Sequence, residues 1–300
     1  DEREFQKAAC CNLSESFQNT PAIDVSFSDA VTGTRQIKML GLDGFYTLIG
    51  KEFMPAVRTL DTYHGLSLIP AAWVNGIQIT KGAGSVVNGY ESIAGQINIE
   101  LKKPFGKESF LLDQFVNEGG RAETDFMYRA DINEKLATSI FARAAFTPME
   151  NDRNKDGFLD MTTGRQYQFL NRWKYAHKNG WEGMASISYL DDNHRGGQID
   201  FDANDPSSFG VTLNTKKTEA VLKIGHAFKN REATSFGSQF MYNTTEFNST
   251  YGNNSVGRVY DATSSTFYSN IMFESYIGNT NHTYKTGISL LADRMNERFD

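Results

Sequence analysis

From residue 105 to residue 300 the chain is a succession of long segments whose side chains alternate in character, and this restricts the fold more than any other feature. The segments are 108–118, 121–133, 136–147, 165–177, 181–191, 216–228, 232–246, 264–277 and 281–293. A period of two is that of a β-strand. Phe236, Ser238, Phe240 and Tyr242 share one face, and Gly237, Gln239, Met241 and Asn243 the other. Phe267, Ile271, Phe273 and Ile277 oppose Asn270, Glu274 and Tyr276. The connections are short at 133–135, 178–180, 229–231 and 278–280, and long at 148–164, 192–215 and 247–263. Only the first, near Gly119-Gly120, is short where the rule asks for a long one.

Segments of about 11–14 residues exceed the ~5–6 of an ordinary strand. They match the ~9–11 residues that a tilted strand needs to cross a bilayer, with overhang. Short turns at one rim and long loops at the other are the asymmetry of a membrane barrel. Proline would interrupt the ladders, and after Pro104 only Pro148 and Pro206 occur. Aromatics are abundant, with 22 Phe, 13 Tyr and 3 Trp. Trp181 and Tyr189 lie on one face roughly 20 Å apart, near the height of an apolar band between interfacial girdles. No stretch reaches the ~20 apolar residues of a membrane helix, which excludes helical spans and leaves a barrel open. No fixed internal period supports a propeller or solenoid. A net charge of −6 argues against nucleic acid as partner. The chain opens DEREF, without a signal peptide, and the strand count is odd with no closing segment. The expectation is a chain cut at both ends.

Residues 1–104 read as a mixed α/β unit. Glu4–Asn12 has helical character, and strands are expected at 23–27, 35–40, 73–80 and 95–101. Gly41-Leu42-Asp43-Gly44 reads as a turn, and so does Lys81-Gly82-Ala83-Gly84-Ser85, which lacks the Gly-Lys-Ser/Thr of a phosphate loop.

Val74 to Gly89, with Lys81, Gly82, Gly84 and Gly89, followed by Gly95-Gln96-Ile97-Asn98-Ile99, resembles the plug domain of TonB-dependent outer-membrane receptors. Gln96 stands where that pattern has a second glycine. Asp29 to Gly44, with Arg35, Gly41, Asp43 and Gly44, and the run from Ala9 to Phe17 resemble two further plug segments in the same order. The resemblance implies an α+β plug domain at 1–104 inside a transmembrane antiparallel β-barrel of 22 strands, of which about nine lie in 105–300. It implies a cell outer membrane location and active uptake of a scarce nutrient, driven by a TonB-type energy-transducing complex of the inner membrane. It implies a small metal-containing ligand such as siderophore-iron, haem, cobalamin or a copper complex. No TonB box is visible. The rival reading is an outer-membrane scaffold, adhesin or protein-translocation partner that binds macromolecules through its loops. Surface lipoprotein or other subunits copurifying with it would favour that reading. Arg35, Lys38, Lys81 and Glu100 are candidates to pair with wall charges such as Arg129, Arg143 or Glu182, although taken one by one each reads more readily as a solvated surface charge.

The sharpest local motif is Asp152-Arg153-Asn154-Lys155-Asp156-Gly157-Phe158-Leu159-Asp160, the first nine positions of an EF-hand-type loop. Asp152, Asn154, Asp156, Asp160 and the carbonyl of Phe158 would hold calcium, with Thr163 in place of the bidentate Glu. The same composition also makes an ordinary polar turn. Met54, Arg58, Tyr63 and His64, in one stretch of the first unit, and His194, in a long connection, are candidates to touch the ligand. A lone His is more often a plain polar loop residue. Cys10-Cys11 reads either as a soft-metal pair or as a buried helix pair. No Ser-His-Asp order, paired carboxylates or zinc spacing occurs, so no enzyme is expected.

Overall fold

The structure, a computed structural model, describes residues 13–17, 23–27, 29, 31–62, 64–85, 87, 89, 91–106, 108–202, 204–205, 207–252 and 258–300. The expected helix at 4–12 and Cys10-Cys11 lie outside the described residues. A short helix, α1 (Leu13–Ser16), precedes β1 (Asp24–Phe27), β2 (Arg35–Met39) and β3 (Leu42–Asp43). There follow β4 (Thr47–Lys51), β5 (Met54–Pro55), β6 (Val74–Lys81) and β7 (Gly95–Leu101). These strands make two small sheets, β1-β2-β3 and β5-β4-β7-β6, with β4 parallel to β7. Strand β4 escapes a search for alternation because Thr-Leu-Ile-Gly-Lys is almost wholly buried. Residues 41–44 do more than turn: Leu42 and Asp43 pair back onto Met39 and Lys38 before a 3-10 turn at Gly44–Tyr46.

The rest is one nine-stranded antiparallel sheet in strict chain order. Its strands are β8 (Phe110–Val116), β9 (Ala122–Asn133), β10 (Leu136–Thr147), β11 (Thr163–Ala176), β12 (Trp181–Gly197), β13 (Gly210–Ala227), β14 (Ser235–Gly252), β15 (Arg258–Tyr276) and β16 (Thr283–Phe299). Each expected strand is present. Two expected loops are shorter than the sequence suggested, because the ladders run on through His194↔Leu213 to Gly197↔Gly210, and through Ser249↔Tyr260 to Tyr251↔Arg258. Polar side chains stand on both faces there, as in Asp192-Asn193-His194-Arg195, so alternation fades, while backbone hydrogen bonds need none.

The two faces of this sheet invert the usual order. Phe169, Trp173, Ile187, Leu222, Tyr242 and Ile271 are exposed on one side, as are Trp181 and Tyr189 at 44% each. Arg143, Arg172, Glu219, Asn243, Thr245 and Thr266 are buried on the other. What buries them is the first hundred residues, which pack on that polar face. Their core of Leu13, Phe17, Ile37, Met39, Ile97 and Ile99 extends to Met127, Phe141 and Leu170 of the wall. Trp73 meets Phe141 with ring centroids 5.4 Å apart.

Gly95 fixes how the two small sheets approach each other. A Cβ there would sit 2.0 Å from Met39 Sδ and 2.6 Å from the Thr80 carbonyl, so only glycine fits.

Candidate functional site

The N-terminal unit is tied to the wall by charges that alternate along the strands. In β13, Lys217, Glu219 and Lys223 share the inward parity with Val221, while Leu222 faces out. Lys217 pairs with Asp61, and Glu219 with Lys51 at 2.5 Å. Lys223 donates to the Glu52 carbonyl. In β11, Arg172 donates to Glu52 Oε1 at 2.9 Å and to the Lys102 carbonyl at 2.9 Å. Arg58 spans Glu91 of its own unit and Asp293 of β16, each at 2.5 Å. Arg172, Asp61 and Glu219 are no more than 4% exposed, so each charge depends on its partner for solvation. Burial pushes the Glu52 carboxyl up, but the charges of Arg172 and Lys223 override it and hold it below the usual range.

The pairing differs from the sequence expectation. Lys38 pairs with Asp43 and Glu100 with Lys103, inside the first unit. Arg129 pairs with Asp131, Arg143 with Glu123 and Asp125, and Glu182 with Lys174, inside the wall. Arg35 lies over the Phe27 ring, 5.2 Å from its centroid, and Lys81 is exposed. Sequence reading missed Lys51, Glu52, Asp61, Arg172, Lys217 and Asp293. The alternation of charged and apolar residues in β13 was the available signal for the wall half of these pairs.

Beyond the ion pairs, toward the end of the sheet that carries the long connections, lies a cavity of about 420 Å³. Arg35, His64 and Ser67 line it from the first unit. Arg121, Arg143, Gln166, Asp192, His194 and Phe247 line it from the wall. Its size is that of a small-molecule site. Arg121 bonds to Glu15 at 2.9 Å and Glu123 at 2.5 Å. Asp192 Oδ1 accepts from Gln166 and from His194 Nε2, both at 2.9 Å. His64 stacks on Phe247, centroids 5.2 Å apart. Burial pushes the His64 imidazole down, against the raising charges of Asp61 and Asp192. His64 Nε2, His194 Nδ1 and Arg35 Nη1 are buried with no hydrogen-bond partner among the described residues.

Of the expected ligand contacts, the structure brings His64 and His194 into one cavity. Met54 lies elsewhere, 2% exposed in a cluster with Met184, Val221, Met241 and Tyr268, where its apolar side chain is core. Arg58 is spent on its two carboxylates, and Tyr63 lies outside the described residues. Gly41, Gly82 and Gly89 have positive φ, and the Gly84 amide donates to Ser92 Oγ at 3.1 Å. Gly44 begins the 3-10 turn that follows Asp43. The loop 152–160 closes on itself. Asp152 accepts from the amides of Asp156 at 3.1 Å and Gly157 at 2.9 Å, Asp156 from Phe158 at 2.9 Å, and Asp160 from Arg153 at 2.9 Å. Asn154 donates to Asp156 at 2.8 Å. Among the described residues no three His, Cys, Asp or Glu gather as a metal cluster.

No family model matches the chain, and no curated protein does. Solved structures do. FpvA of Pseudomonas aeruginosa bound to heterologous pyoverdines has TM-score 0.74 and 13% identity, covering 98% of this chain and 41% of that one. FauA, the alcaligin outer-membrane receptor of Bordetella pertussis, has TM-score 0.73 and 11% identity, covering 99% and 46%. The copper transporter OprC has TM-score 0.74 and 12% identity, covering 97% and 44%. This chain therefore has the fold of TonB-dependent outer-membrane receptors over the part it covers, and it spans less than half the length of each of these.

Proposed function

We propose that residues 1–104 are the plug, and residues 105–300 the first nine strands, of a TonB-dependent transporter in the outer membrane of a Gram-negative bacterium. It takes up a scarce, metal-containing small ligand, driven by a TonB-type complex of the inner membrane. The observation that carries this reading is the inverted wall, with aromatics outside and buried charge inside, paired to a unit that stops the interior. A soluble sheet would bury the aromatic face; lipid tails favour its exposure. The cavity adds a place for a ligand between plug and wall, on the side of the long loops. Similar structures named for pyoverdine, alcaligin and copper point the same way. The neighbours are receptors and transporters, in keeping with a protein that is not an enzyme. The loop 152–160 is assigned a calcium ion that stiffens it, on the strength of its residue pattern and the left-handed turn at Gly157.

The test is uptake of radiolabelled iron chelate, copper complex, haem and cobalamin by a strain lacking the gene, grown under limitation of each. Loss of one uptake, restored by the full-length gene, is the expected result. Unchanged uptake of all four overturns the reading.

A further inference from the structure

We propose that residues 51–62 form a strained strap, a backbone shape that its own residues disfavour, which charges of the wall hold in place and which relaxes when those contacts break. This rests on the plug reading and adds to it a device for letting go. The N-terminal unit makes one kind of turn twice, by different means. Between β2 and β3, Leu40 and Gly41 connect the paired Met39 and Leu42 with φ of 54° and 76°. Between β4 and β5, Glu52 and Phe53 connect the paired Lys51 and Met54 with φ of 55° and 61°. A two-residue hairpin loop with positive φ at both positions is a type I′ turn, which favours glycine at the second. Gly41 supplies it and Phe53 does not. In a bulky residue the left-handed region crowds Cβ against the carbonyl oxygen. Thr59, β-branched and with φ of 52°, repeats the conflict further along the strap.

Each strained position adjoins a hold from the wall. The Glu52 carboxylate accepts from Arg172 of β11 at 2.9 Å, and its carbonyl accepts from Lys223 of β13. Lys51, just before, pairs with Glu219. Met54, just after Phe53, packs among Met184 and Met241. Thr59 lies between Arg58, bound to Asp293, and Asp61, bound to Lys217. Inside the unit, the Glu52 amide donates to the Ile99 carbonyl at 2.9 Å and the Phe53 amide to Asn98 Oδ1 at 2.7 Å. Those bonds satisfy the donors and leave the strain in place.

Such strain persists only where the surroundings over-determine the backbone. Here part of the surroundings is removable. Once Arg172 and Lys223 let go, Glu52 and Phe53 gain by leaving the left-handed region, which offsets part of the cost of undocking. The strap runs on into His64 and Ser67 at the cavity, and the Gly65 amide donates to the Asp61 carbonyl at 2.7 Å. Its relaxation therefore also reshapes one side of the cavity.

The experiment is amide exchange of the full-length receptor in detergent. Arg172→Met should speed exchange at residues 52–54 by ~10-fold or more. Lys223→Met serves where that variant does not fold. Phe53→Gly, which makes the turn resemble Leu40-Gly41, should return exchange in either background to within ~3-fold of wild type. Glycine ordinarily weakens a fold by loosening the unfolded chain, so regained protection identifies strain. Unchanged exchange in the wall variants, or no recovery with Phe53→Gly, overturns the strap. Phe53→Gly alone should also slow uptake of whichever of the four probes above is imported, at equal binding, because opening then has no strain to release; an equal rate overturns the device. Import of none of the four by the wild type overturns the transport reading alone, since exchange reads the strap without a ligand.

Discussion

Arg172, in the wall, donates to Glu52 of the N-terminal unit across 120 residues of chain, at 2.9 Å, with both residues buried. The pair is a docking point. Removing one partner strands the other charge in a dry place, and that penalty exceeds the net worth of the pair. Arg172→Met should therefore loosen the N-terminal unit by about 3–5 kcal/mol. Arg172→Lys keeps the charge but loses the planar fork, and should cost less. Denaturant melts in detergent, with protease cleavage of residues 1–104 as the readout, check both.

Glu52 also makes docking depend on pH. Its carboxyl is held below the ordinary carboxylate range when docked, by the charges of Arg172 and Lys223. Protons thus bind the released state more readily, and stability falls with falling pH. The contribution is complete above pH ~4.5 and is lost as pH drops through the lower docked value. Melting temperatures between pH 7 and pH 3 should show this decline, and Glu52→Gln should flatten it.

The exposed face of the wall should behave as a lipid contact. Ile187, 55% exposed, follows Trp181 by six residues and precedes Tyr189 on the same face. Ile187→Arg should cost about 2–4 kcal/mol for insertion near the bilayer midplane. Refolding titrations of the full-length receptor into vesicles measure it. An insertion energy equal to wild type would place this residue away from lipid.

Gly95→Ala pushes a methyl group against Met39 and the Thr80 carbonyl. The thioether can swing aside but the backbone oxygen cannot. A loss of about 1–3 kcal/mol is expected, as for other overpacked sites. Met39→Ala in the same chain should recover only part of it, as a double-mutant cycle would show.

Calcium should raise the melting temperature and slow amide exchange at 152–160, and Asp152→Asn with Asp156→Asn should abolish both effects. The loop is already closed by its own amides. The gain is therefore rigidity in a folded loop rather than a change of fold. Amide exchange that ignores millimolar calcium would reject the ion.

The wall was legible in the sequence because its signal is local. Period-two alternation marks Phe267 and Ile271 as sharing a face against Asn270 whatever surrounds them, and short turns set which strands are neighbours. The ends of β12 to β15 were less legible, since a ladder can continue through residues polar on both faces. Strand β4 was hidden for a different reason, being short and buried on both faces from Thr47 to Gly50.

The sequence by itself determined the strands of the wall, their order, and the two histidines as isolated candidates. The tertiary structure alone decided that His64 and His194 share a cavity, and that Lys51, Glu52, Arg58 and Asp61 find partners in strands far along the chain. The physical reason is range. Alternation is written into the backbone at two-residue spacing, whereas an ion pair across an interface exists only once a separate unit has docked and expelled the water between the charges.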